Sequence, residues 1–181
     1  MKTQILEALS TVVREFQDNP YAFLYEEDIR ATLFHEIRKR IPDEVVVNGT
    51  GAPEHEYRLR RVYCEYGNKI DIACLKLDSD DGTHATNRRF DTFIYNFPVE
   101  IGIELKYRKI GDAFTVQKSF NDYQKLKRLS IPNSFAIAFI QDELTLPDFL
   151  GTEATKEIDS NSLSLDGIFV VSKKNILKAN F

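Results

Sequence analysis

Between Thr3 and Asp18 the apolar positions Ile5, Leu6, Leu9, Val12, Val13 and Phe16 recur at helical spacing, with mostly polar residues between them. That period predicts an amphipathic helix. "NPYAF" interrupts it. A second helix is expected from Glu26 to Arg40, with Ile29, Leu33, Phe34, Ile37 and Ile41 as its apolar stripe. Its first turn is acidic (Glu26, Glu27, Asp28) and its last basic (Arg38, Lys39, Arg40), which suits the helix dipole, and Pro42 closes it. Residues 43–58 hold a short strand, Val45–Val47, and then a loop containing Gly and Pro. "RRVYCEYGNKIDIACLKL" reads as a hairpin about a two-residue Gly67–Asn68 turn of the II′ kind. That turn sets Tyr66 opposite Lys69, Cys64 opposite Asp71 and Arg61 opposite Cys74.

A polar connection over residues 78–92 leads to a strand over Val99–Tyr107. "GDAFTVQKSFNDYQKLKRLS" predicts an amphipathic helix beginning near Asp112. "SFAIAFI" and "GIFVVS" are almost wholly apolar, as strands covered on both faces are, and a loop over 142–165 separates them. This order predicts a single α/β domain over residues 1–181, a central mixed β-sheet flanked by helices.

Composition narrows the function classes. At 181 residues, with 43% apolar and 29% charged positions, the chain can bury a core of its own. A net charge of −4 argues against a protein that coats nucleic acid non-specifically, while leaving room for a local basic groove. Cys64 and Cys74 are too few for a secreted disulfide framework, are not neighbours in the hairpin, and no Cys/His spacing suits zinc. No signal-peptide stretch opens the chain and no run approaches the length of a membrane span. The expectation is a reduced, cytoplasmic protein with no membrane association.

The candidate chemistry sits in "VEIGIELKYRK", residues 99–109. Strand alternation puts Glu100, Gly102, Glu104 and Lys106 on one face, with Glu104 and Lys106 roughly 6.6 Å apart, and Ile101, Ile103, Leu105 and Tyr107 on the other. Asp71 interrupts the apolar run "KIDIACL", where a carboxylate needs a partner. If the two strands pair, Asp71 and Glu104 can point to one spot. Two converging carboxylates are best reconciled by a hard divalent cation, Mg²⁺ or Mn²⁺, and Lys106 beside them would orient or help deprotonate an attacking water. The bland alternative for Glu104 and Lys106 is a surface ion pair worth at most about 1 kcal/mol. For Asp71 it is a salt bridge to Lys69 or a buried hydrogen bond.

Together these residues resemble the PD-(D/E)XK nuclease superfamily, the restriction-endonuclease-like proteins. The match comprises Asp71 in "GNKIDIACL", Glu104 and Lys106 in "IGIELKY", a glutamate from "YEEDIRATL" and the helix "QKSFNDYQKL", over roughly residues 25–140. Ile70 stands where the family pattern has proline. The resemblance implies an αβββαβ core and divalent-metal-dependent hydrolysis of phosphodiester bonds, most readily of DNA. It implies metal binding by Asp71, Glu104 and the Leu105 carbonyl, and a catalytic role for Lys106 and for Glu26 or Glu27, with Glu26 favoured by its place on the inward stripe. It further implies substrate contacts from Gln117 with Asn121 or Tyr123. Arg88 and Arg89, among other basic residues flanking the strands, are expected to contact phosphates. Small members often act as homodimers, so a homodimer is the assembly to test. The alternative is a catalytically inactive nuclease-fold module that binds nucleic acid or a protein partner.

Overall fold

Both expected helices form, α1 over Lys2–Asp18 and α2 over Glu26–Arg40, in a computed structural model that describes residues 1–48, 56–67, 69–77 and 97–180. A single 3-10 turn, Pro20–Ala22, joins them. Their apolar stripes pack together and onto one face of a seven-stranded sheet. The strands are β3 (Val62–Tyr66), β4 (Ile70–Leu75), β5 (Val99–Arg108), β6 (Asn133–Ile140), β7 (Thr155–Ile158), β8 (Gly167–Val171) and β9 (Ile176–Ala179), in the spatial order β3-β4-β5-β6-β8-β9-β7. β5, β6 and β8 run parallel to one another, and the remaining pairs are antiparallel. The fold is therefore one α/β domain on a mixed sheet. A separate antiparallel ribbon is formed by β1 (Glu44–Asn48) and β2 (Glu56–Arg60).

Strand alternation divides the core in two. Ile72, Cys74, Ile101, Ile103, Leu105, Phe135, Ile137 and Phe169 join α1 and α2. On the other face α3 (Gln117–Arg128) and α4 (Leu146–Leu150) cover Ala73, Ala136, Ala138 and Val170. The continuous apolar sequence of β6 and β8 follows from this double cover. Gly102 of β5 lies directly beneath α3. A Cβ there would come within 3.0 Å of Leu126 and 3.1 Å of Ile131, so glycine lets the helix approach the strand.

The structure corrects several local expectations. The hairpin loop is three residues long, because Tyr66 pairs with Ile70, Cys64 with Ile72 and Val62 with Cys74. The predicted register was one residue out. Gly67 and Lys69 both take positive φ, +58° each, which the longer loop needs and a two-residue II′ turn does not. Both cysteines are free. The helix expected from Asp112 begins only at Gln117. Asp112 instead closes the turn after β5, its carboxylate accepting from Lys109 N at 3.1 Å and its carbonyl from Arg108 Nε at 3.1 Å. Phe114 and Val116 then pass over Phe149. The expected loop over 142–165 contains α4 and β7, and β2 and β9 were likewise unanticipated. All are four or five residues long, too short for a periodic signal. The polar connection, Asn68, Arg88 and Arg89 lie outside the described residues.

Candidate active site

β4 pairs with β5 through Ile72 opposite Ile103, Ala73 opposite Gly102 and Cys74 opposite Ile101. One further step in that register brings Asp71 opposite Glu104. Asp71 Oδ2 accepts a hydrogen bond of 2.8 Å from Leu105 N, and Oδ1 lies 3.3 Å from Arg30 Nη1. Arg30 also pairs with Glu65 and, at 3.9 Å, with Glu27. The buried Asp71 carboxylate thus has the partner cation its setting demands, from α2 and not from Lys69.

Glu104 is the most deeply buried acid of the group, 3% exposed. Lys125 Nζ, from α3, lies 2.6 Å from its Oε1 in an ion pair outside hydrogen-bond geometry. Burial pushes the Glu104 carboxyl up to about 8, Asp71 and Asp122 add to the rise, and Lys125 offsets only part of it. Lys106 does not pair with Glu104. Its ammonium donates to the Leu105 carbonyl at 2.6 Å and lies 3.0 Å from Asp122 Oδ2 and 3.8 Å from Glu26 Oε1. Burial by itself would lower the lysine, but Glu26, Asp122 and Asp71 outweigh it and hold the ammonium above its ordinary range.

Glu26 reaches this cluster from the first turn of α2. Its Oε2 accepts from Tyr107 N at 3.2 Å, and burial raises its carboxyl despite the neighbouring Lys106. Glu27 points away, its side chain 70% exposed. Of the two glutamates, Glu26 is the one at the site.

Glu26, Asp71, Glu104, the Leu105 carbonyl and Lys106 therefore come together. Gln117, Asn121 and Tyr123 do not join them. Gln117 bonds Asn121 on the exposed side of α3, and Tyr123 bonds Asp166 at 2.9 Å. The α3 side chains that reach the cluster are Asp122 and Lys125, one turn apart, and these were missed, as was Arg30. Asp122 and Lys125 bracket the face of Leu126, while Arg30 lies one turn after Glu26. Arg108, a basic residue at the end of β5, is buried and donates to the Asp112 and Thr145 carbonyls.

Comparison with protein-family models, with curated proteins and with solved structures finds no match for this chain. The cluster must be understood from its own chemistry. Among the described residues no group of three or more His, Cys, Asp or Glu side chains is arranged to hold a metal ion, and no helix is long and apolar enough to cross a membrane. Asp71, Glu104 and the Leu105 carbonyl are nevertheless hard oxygen donors. The place beside Glu104 already favours a cation, since an ammonium stands there.

Proposed function

We propose that the chain is a divalent-metal-dependent nuclease of the PD-(D/E)XK kind, hydrolysing phosphodiester bonds, most readily of DNA. One observation carries the reading. Glu26, Asp71, Glu104 and Lys106, from three successive parts of the chain, meet on adjoining elements in the order α2, β4, β5. With the separate β1-β2 ribbon between α2 and β3 set aside, α2, β3, β4, β5, α3 and β6 follow in an αβββαβ order that supports the reading, with β5 and β6 parallel across the α3 crossover.

Mg²⁺ or Mn²⁺ would be held by Asp71, Glu104 and the Leu105 carbonyl, and when bound supplies the positive charge that polarises the phosphodiester and screens its developing charge. Lys106, held cationic between Glu26 and Asp122, donates to and orients the attacking water. Glu26, 3.8 Å from that ammonium and raised by burial, is placed to accept the water's proton. The water oxygen bonds to phosphorus, one P–O ester bond breaks, and the departing oxygen takes a proton from solvent.

Cleavage of plasmid and of single-stranded oligonucleotides in Mg²⁺ or Mn²⁺ tests this. Lys106→Ala and Glu26→Gln are expected to lose at least about a hundredfold in rate, and Glu27→Gln to stay within about twofold of wild type. Equal activity of wild type and Lys106→Ala would remove Lys106 from the mechanism. The second reading, a binding module without catalysis, is favoured by one feature: Lys125 and Arg30 already stand as counter-ions beside the two carboxylates. No heat on titration with millimolar Mn²⁺ would select it.

A further inference from the structure

Large apolar side chains remain exposed on the two segments that adjoin the cluster along the chain. Tyr21 (56%), Leu24 (62%) and Tyr25 (58%) lie on the strap between α1 and α2, and Ile110 (60%) follows β5. Lys109 Nζ stands 5.1 Å from the centre of the Tyr25 ring, and among the described residues no carboxylate pairs with it. The strap is tied down from both sides. Asp28 Oδ2 accepts from Leu24 N and Tyr25 N at 2.9 and 3.0 Å, and Tyr107 Oη donates to the Phe23 carbonyl at 2.6 Å. The rings are thus displayed on a fixed backbone, which lowers the entropic cost of using them.

Continuity with the site is covalent on both sides. Tyr25 precedes Glu26, and Lys109 lies two residues after Tyr107, whose N–H donates to Glu26. Consecutive Cα atoms are about 3.8 Å apart, so the Tyr25 backbone adjoins that of Glu26, whose carboxylate lies 3.8 Å from Lys106 Nζ. Among the described residues the cations of the site are already paired, Lys106 with Asp122 and Glu26, Lys125 with Glu104, and Arg30 with Asp71 and Glu65. Arg108 is committed to backbone carbonyls, and Asp28 and Asp112 are committed to backbone N–H groups. Duplex binding draws its affinity from phosphate-contacting cations, whereas exposed rings with a neighbouring ammonium suit unpaired bases.

We infer that Tyr21 and Tyr25, with Lys109, form a stacking platform for unpaired nucleotides, so that the site takes single-stranded nucleic acid in preference to duplex. The choice of ligand rests on the nuclease reading. The test is fluorescence anisotropy in EDTA, with labelled 12-nucleotide oligo(dT) and oligo(U) and a labelled duplex of the same length. Wild type is expected to bind one or both single strands more tightly than duplex, the pair separating DNA from RNA. Tyr21→Ala/Tyr25→Ala should weaken single-strand binding about tenfold or more while Tm is unchanged, and Tyr21→Phe/Tyr25→Phe should restore it. Equal binding of single strand and duplex, or an unaffected double alanine variant, overturns the inference. So does sedimentation showing a wild-type dimer that the alanine variant loses while oligonucleotide affinity is unchanged; the patch is then an interface between copies. Metal-dependent cleavage by wild type with ring-independent binding refutes the platform and leaves the nuclease reading standing. Ring-dependent binding without cleavage does the reverse.

Discussion

Glu104 sets the electrostatics of the site, because it is a nearly inaccessible carboxylate facing a second one. Burial raises it from an ordinary 4.5 to about 8, more than Lys125 can offset. A carboxyl whose folded value is raised stabilises the fold fully below its unfolded value and loses that contribution as pH climbs through the folded one. The window here runs from about 4.5 to about 8. Thermal melts across it are expected to show Tm falling as pH rises, with Glu104→Gln, uncharged throughout, flattening the profile. Half-buried Glu26, also raised, has the same sign and leaves a residual slope. If the two proteins give parallel profiles, Glu104 ionisation is not linked to folding. Under the proposed metal binding, millimolar Mn²⁺ favours the charged form, so at about pH 8 it should raise the Tm of wild type and not that of Glu104→Gln.

The decisive element is β5, a strand whose two faces do different work. Ile101, Ile103, Leu105 and Tyr107 face the helix pair, whereas Gly102, Glu104 and Lys106 lie beneath α3. α3 supplies the counter-charges Asp122 and Lys125, so its height above β5 controls the cluster. Gly102→Ala places a methyl within 3.0–3.1 Å of Leu126 and Ile131. Overpacking of this kind costs about 1–3 kcal/mol. Urea titration should show a lower midpoint with an unchanged slope. Wild-type stability in that variant would mean that Leu126 and Ile131 turn aside freely and that α3 is not seated on the glycine.

At the scale of the whole molecule, the site depends on a helix that contributes nothing to it directly. α1 buries Ile5, Ala8, Leu9, Val12, Val13 and Phe16 completely. The Phe16 ring lies 5.0 Å from Phe139, 5.8 Å from Phe23 and 6.3 Å from Tyr107, linking the sheet to the strap that precedes Glu26. Each large apolar side chain left exposed forgoes about 1.5–3 kcal/mol, and five of them together rival the roughly 5–15 kcal/mol that stabilise a typical domain. A chain beginning at residue 24 is therefore expected to show no cooperative thermal transition by circular dichroism. A sharp melt would show that α2 and the sheet fold as a unit without α1, and that the stretch over 25–140 stands nearly alone.

Periodicity along the chain determined α1, α2, the buried strands β4, β5, β6 and β8, and the common face of Glu104 and Lys106, because each depends on the spacing of neighbouring residues. It also marked Asp71 as a carboxylate in need of a cation, since an isolated charge in an apolar run is costly wherever the strand lies. Tertiary structure decided what local spacing cannot encode. The three-residue loop shifted the hairpin by one residue, a change in turn geometry that no hydrophobic pattern specifies. Arg30 was chosen for Asp71, Lys125 for Glu104, and Asp122 with Glu26 for Lys106, by contacts that span from 16 to 80 positions of sequence. Those pairings exist only once α2 and α3 are packed on opposite faces of one sheet.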